Sequence, residues 1–336
     1  MSTATHVPET TRFRQDELSA DDAWATASRA GTRQLVVDTF RRMRYGDGFS
    51  STRAVAFQFV LALLPLVIAF IGLASTVHAQ KLARALRETV LTMMPGSRDD
   101  AVKQALTRGF SSGGGGGRLA LVAGLVVAII AITTAMGQIE RGANRVYGIQ
   151  RDRPGKDKYR RALLLAGAAG IPAMLGFAVL VAGDALLQSL QDVYGWGSTT
   201  VTLMSWLRWP VGAALGLASV TAIFRWAPRR NQPGFSWIAV GAGVALVLWL
   251  VFSWLLALYV SHSSSFGTLY GPLTGMFALL LWSQLTSLAL LLGLAFSAQL
   301  EAVRAGVPSP VTLDPERSPG ARRDPVVVLT PEPTTH

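Results

Sequence analysis

Long apolar runs alternate with short polar segments along this chain. A helix crossing about 30 Å of hydrocarbon needs about 20 largely uncharged residues, and six runs reach that scale: 54–78, 119–139, 162–187, 207–224, 236–260 and 271–300. The stretches from Ala54 to Val77 and from Leu119 to Ile139 contain no ionisable side chain. The third run meets Asp184 near its end, and the fourth, opening near Arg208, is the shortest. The pattern predicts an all-α, polytopic membrane protein with six transmembrane helices.

The charges orient these spans. Cytoplasmic flanks collect Lys and Arg. The N-terminal tail, the 140–161 and 225–235 loops and the C-terminal tail together hold 23 of the 31 basic residues, against 8 on the other side. Both termini are therefore expected in the cytoplasm. The exception is the first outer loop, 78–118, with seven basic residues; long loops follow the charge rule poorly. Within that loop Leu82, Leu86, Val90 and Met93, and then Ala101, Ala105 and Leu106, recur at helical spacing on either side of Pro95-Gly96. They predict two amphipathic helices along the outer interface, followed by a flexible joint at Gly113–Gly117.

The ends differ in kind. Residues 1–34 mix acids with Ser, Thr and Ala, and 303–336 is rich in Pro. Both read as disordered cytoplasmic tails around a membrane domain at 35–302. No apolar leader is seen in the first 50 residues, so the first span is expected to direct insertion.

Composition agrees. Half of the 336 residues are apolar, 15% are charged, and mean hydropathy is +0.37. A soluble protein carries about a quarter charged residues. The absence of cysteine removes thiol catalysis, disulfides and Cys-ligated metals. The four histidines, His6, His78, His262 and His336, show no metal-ligand spacing. There is no G-x-S-x-G and no G-x-x-x-x-G-K-[ST] motif. No catalytic residue, metal or cofactor is expected. A net charge of +11 would suit nucleic acid or an anionic membrane. Only Tyr147 and Tyr159 interleave with the basic residues of the 140–161 loop, whereas RNA modules expose stacking aromatics. Membrane lipids are the expected partners, and nucleic acid is not.

Small and helix-distorting residues punctuate the spans: Pro65, Pro172, Pro210 and Pro272, and the pairs Gly212/Gly216, Gly271/Gly275 and Gly167/Gly170. They suit close helix packing and equally suit hinges around a substrate path. A hydroxyl-rich stretch, Trp282-Ser283-Gln284-Leu285-Thr286-Ser287, suits interhelical hydrogen bonds or a groove for a lipid head group.

Four motifs in order resemble the YihY/BrkB family of bacterial inner-membrane proteins, in particular its YhjD-like branch. They are Phe57 to Leu66 (FQFVLALLPL), Ile139 to Gly148 (IERGANRVYG), Phe224-Arg225-Trp226-Ala227-Pro228 and Leu269-Tyr270-Gly271-Pro272-Leu273, with Trp282 and Gly293 also in place. The likeness covers roughly 35–302; the Ser-Gln-Leu-Thr-Ser run after Trp282 departs from it. The resemblance implies a six-helix protein of the cell membrane. Its members have been associated with envelope lipid export and serum resistance, and were formerly labelled ribonuclease BN, although this chain lacks the His/Asp clusters of a metallo-nuclease.

The expected function is that of a non-ATP-driven transporter or flippase-like handler of an envelope lipid, an anionic one being among the candidates. The residues expected on the path or at the head group are Pro65, Asn144, Arg145, Tyr147, Arg225, Pro228, Tyr270, Gly271, Pro272 and Gln284. The alternatives are a structural envelope-integrity protein that moves nothing and, behind it, a membrane-bound ribonuclease.

Overall fold

The computed structural model of the protein describes residues 5–6, 19–76, 115–149, 152–194, 198–262, 274–306, 308–310 and 312–313. Apart from one two-residue strand pair, its regular structure is helical: α1 Ala20–Ala30, α2 Thr32–Tyr45, α3 Gly48–Thr76, α4 Gly115–Val146, α5 Gly155–Tyr194, α6 Ser198–Trp226, α7 Phe235–His262 and α8 Thr274–Arg304. Each long helix, α3 to α8, overlaps one apolar run of the sequence. Within them, Leu125–Val146, Thr202–Trp226, Phe235–His262 and Gly275–Arg304 are four stretches long and apolar enough to cross a membrane. The helices outrun the apolar segments, α5 reaching 40 residues, because backbone hydrogen bonding continues past the hydrocarbon boundary that hydropathy detects.

Consecutive long helices pack on one another, and α8 returns to α3, closing the series. α8 is the hub, touching α1, α2, α3, α4 and α7. Its buried positions include Leu291, Leu294, Ala295 and Ala298, at the three- and four-residue spacing of one helix face. In lipid, packing rather than water exclusion holds helices together, so small residues decide how close they come. α7 and α8 meet almost backbone to backbone: a Cβ on Gly293 would lie 2.5 Å from that of Ala245 and 2.9 Å from the Gly241 carbonyl oxygen. Gly212 similarly admits Leu180 of α5. Gly167 and Gly170 face nothing within 4 Å, so no close helix contact is built on that pair.

Three features differ from the sequence expectations. The first is α1, which lies inside the stretch expected to be an unstructured tail. Ser19 and Asp22 form a reciprocal capping box, Ala23 and Thr26 are buried, and the helix packs on α7 and α8. Its contact face is made of Ala and Thr, too weakly apolar to register as a core stripe. The second is the glycine run, which is not simply a joint: Gly115 to Gly117 already belong to α4, where helical hydrogen bonds outweigh a glycine cost of about 1 kcal/mol each. The third is the meeting of the chain's ends. Thr5 pairs with Leu313 and His6 with Thr312 in an antiparallel ladder. The two amphipathic helices expected within 82–106 lie outside the described residues.

Pro172 and Pro210 sit inside continuous α5 and α6, and Pro65 falls within the range of α3.

Candidate functional site

The end of α4 is set by the sequence IERGANRVYG. Glu140 and Asn144 are one turn apart and so share a face. The helix stops because Gly148 takes a φ of +79°, a left-handed conformation that glycine adopts without steric cost. Its N–H donates to the Arg145 carbonyl at 3.1 Å, and that of Ile149 donates to Asn144 O at 2.8 Å. The reversal delivers Asp152 and Arg153 back onto the helix end.

Asn144, fully buried, joins three segments. Its Nδ2 donates to Asp152 Oδ1 at 3.1 Å, and its Oδ1 accepts the Arg229 backbone N–H at 2.8 Å. Arg153 forks onto the α6–α7 loop, donating to the carbonyls of Ala227 and Pro228 at 3.0 Å each. Its Nη1 also lies 3.0 Å from Glu140 Oε1. That last contact is an ion pair rather than an aligned hydrogen bond, Glu140 Oε1 having no hydrogen-bond partner among the described residues. Arg225, at the end of α6, donates to Gln232 O at 3.0 Å, and its guanidinium lies over the Phe235 ring, 5.5 Å from the centroid.

A second layer lies against α8. Arg230 pairs with Glu301 through Nη2 and Oε1, both side chains being essentially inaccessible, and its guanidinium stacks 5.0 Å above the Tyr147 ring. Arg42 of α2 donates from Nε to Gln299 Oε1 at 2.9 Å and from Nη1 to the Val146 carbonyl at 3.4 Å. Gln299 Nε2 in turn donates to Pro308 O at 2.7 Å. Burial pulls the Arg42 guanidinium down to about 10, partly offset by Tyr147 and Glu301. Burial, reinforced by Glu301, pushes the Tyr147 hydroxyl above the usual phenol range.

These contacts form a clasp in which α2, α4, α6, α8 and two loops are locked by buried charges and amides. Removing such groups from water is costly unless each finds a partner, so their mutual pairing fixes how the helix ends meet. Of the residues singled out in the sequence, Asn144, Tyr147, Arg225 and Pro228 come together here, all buried. Arg145, from the same motif, points to the exposed side. Gln284 is half-buried on α8, 17 positions before Glu301, or about 25 Å along the helix. The structure therefore does not gather these residues into one pocket. Of Pro65 only the backbone is described, and Tyr270, Gly271 and Pro272 lie outside the described residues.

Sequence reading missed the carboxylates and amides of the clasp: Glu140, Asp152, Gln299 and Glu301. The available signal was that Glu140 and Glu301 fall at the ends of apolar runs on the same predicted side as the arginines. A carboxylate at the depth of a basic cluster is a partner for it.

Further up α8 runs a seam of hydroxyls. Ser283 Oγ donates to the Ala56 carbonyl of α3 at 2.7 Å, and Thr286 Oγ1 accepts the Trp249 indole N–H at 3.2 Å. Ser287 and Ser297 are buried with hydroxyls that have no hydrogen-bond partner among the described residues. Among those residues no three His, Cys, Asp or Glu side chains gather as metal ligands.

Comparison with known proteins agrees with this architecture. The family model described as Virulence factor BrkB matches residues 39–314. A putative ribonuclease-like protein YfkH of Bacillus subtilis is 22% identical over 263 residues, covering 78% of this chain and 94% of that one. UPF0761 membrane proteins match as well. That of Stenotrophomonas maltophilia is 25% identical over 299 residues (86% of this chain, 66% of the relative), and that of Xanthomonas oryzae 22% over 286 residues (84% and 64%). The chain thus spans just under two thirds of the length of these UPF0761 relatives. No solved structure matches it. With the family model covering most of the chain and the long apolar helices already described, this protein is a multi-pass membrane protein of the virulence factor BrkB family.

Proposed function

We propose that the chain is a six-span protein of the bacterial inner membrane, with both termini cytoplasmic, that handles an envelope lipid without hydrolysing ATP. The observation that carries the lipid reading is the hydroxyl seam of α8. Ser283 and Thr286 spend their hydrogen bonds on neighbouring helices, while the buried hydroxyls of Ser287 and Ser297 have no hydrogen-bond partner among the described residues. Polar capacity left open inside a lipid-embedded bundle is costly in hydrocarbon, and it is of use where a polar head group passes. The paired chain ends support an even number of crossings, and α3 to α8 supply six helices. The six spans and their orientation are tested by reporter fusions at each loop.

Lipid handling is tested by mass spectrometry of lipids retained through purification in mild detergent, compared with an unrelated six-span protein from the same membranes. Enrichment of one anionic envelope lipid, reduced by Ser287→Ala and Ser297→Ala together, supports the reading. A profile identical to bulk membrane refutes it.

A second reading, a structural envelope-integrity protein, is favoured by the clasp itself. Asn144, Tyr147 and Arg225 are consumed in holding helices together rather than facing a path. Under this reading, clasp variants lose envelope function only in proportion to lost folded protein. The ribonuclease-like name of the Bacillus relative supplies a third, which metal-dependent RNA cleavage by rigorously purified protein would revive.

A further inference from the structure

α2 carries two unlike faces. Leu35, Asp38, Thr39, Arg42 and Met43 are buried against the bundle. On the outer face Val36 (58% exposed), Val37 and Phe40 (53% exposed) stand free, an inversion of the usual polar exterior. With Arg41, Arg44 and Tyr45 they line an open groove of about 520 Å³. The apolar surface does not stop at α2. The Phe40 ring meets Phe49 in the first turn of α3 edge to face, with centroids 5.4 Å apart. Two turns on, Phe57 is again exposed on a helix whose sequence is apolar enough for lipid contact. Arg41 faces Asp38 at 3.5 Å, which leaves Arg44 the stronger positive end of the groove.

We propose that this face of α2 lies in the membrane interface and seats an anionic phospholipid, acyl chain against Val36, Val37 and Phe40 and phosphate against Arg41 and Arg44. The chemistry is that of interfacial helices: apolar residues entering the head-group boundary, with arginines beside them drawing anionic lipid. Three observations select that occupant. The exposed residues continue through the Phe40–Phe49 contact to exposed Phe57 of apolar α3, the charge beside them is positive, and α2 is held on the bundle by Arg42, which fixes the direction in which the outer face points. The site stands independently of whether the bundle moves any cargo.

The full chain has no cysteine, so Phe40→Cys and Val37→Cys can each be spin-labelled singly. In vesicles of phosphatidylglycerol, labels at 37 and 40 are expected to collide with oxygen in preference to a water-soluble nickel complex. A control label at Ser28→Cys, exposed on α1, is expected to show the reverse. Native mass spectrometry then reads the preference for retained phosphatidylglycerol over phosphatidylcholine. Arg41→Gln with Arg44→Gln is expected to lower that preference about fivefold, as for one fully effective arginine at about 1 kcal/mol. Excess inorganic phosphate is expected to leave it unchanged. Labels at 37 and 40 that are as water-accessible as the one at 28 would overturn the proposal. So would an unaltered lipid preference in the double variant, displacement by free phosphate, or label–label broadening showing a second copy in the groove. Loss of bulk lipid transport with this interfacial signature intact would count against the function proposed above and not against this site.

Discussion

The buried Arg230–Glu301 pair offers the sharpest test of the clasp. Both side chains are sealed from solvent, and Arg42, also fully buried, lies close enough for Glu301 to act on its charge. Glu301→Ala therefore removes the carboxylate countercharge of two buried guanidinium groups. Removing one partner of a buried pair costs about 3–5 kcal/mol, whereas replacing both by apolar residues of similar volume is close to neutral. Arg230→Met with Glu301→Leu is thus expected to recover most of the loss of either single change. A residual deficit of about 1 kcal/mol remains, because Arg42 also loses its countercharge while keeping Gln299 and the Val146 carbonyl. With single losses of about 3–5 kcal/mol each and a double-variant deficit of about 1 kcal/mol, the cycle's coupling energy should be at least about 5 kcal/mol in favour of the pair, above the usual range for residues in contact. At about 2 °C per kcal/mol for a chain of this size, each single variant should melt at least about 6 °C below wild type. The assay is the fraction of monodisperse protein surviving heat steps in mild detergent, read by fluorescence-detected size exclusion. Single variants within about 1 °C of wild type, or a double variant as unstable as the two losses summed, would refute the claim that these charges depend on each other.

Other consequences are open to the same assay. Arg153→Lys keeps the charge opposite Glu140 but cannot fork onto Ala227 and Pro228, so it should cost about 1–2 kcal/mol, with Arg153→Ala costing more. Gly293→Ala drives a methyl into Ala245 and the Gly241 carbonyl and should destabilise by about 1–3 kcal/mol. Gly170→Ala, facing open space, should be neutral or stabilising by up to about 1 kcal/mol; equal effects from the two would show that α7 and α8 do not approach as described. Ser19→Ala removes the α1 cap and should raise the rate of limited proteolysis within 20–30 several-fold. The hydrogen bonds from Ser19 hold the Asp22 carboxyl below its ordinary value of 3.8. That contribution is therefore present above 3.8 and is lost as pH falls through the lower folded value, so wild-type α1 should become protease-sensitive only on acidification.

Much of the architecture was legible in the chain. The six apolar runs each became a long helix, because in a bilayer every backbone N–H and C=O must be satisfied within its own segment, and helix is the local answer to that demand. The IERGANRVYG stretch also announced itself, and the glycine that ends it is required by the left-handed turn at Gly148. The partners inside the clasp were not legible. Arg42 meets Gln299 across 257 positions and Arg230 meets Glu301 across 71, and no periodicity encodes which basic residue of a cluster turns inward and which, like Arg145, stays out. α1 was hidden for a related reason: its buried face is Ala and Thr, whose burial is decided by how closely α7 and α8 let it approach. Hydropathy and helix hydrogen bonding are local properties and can be read residue by residue. Desolvation of a charge is decided only when distant helices close over it, and that made a basic loop into a buried lock.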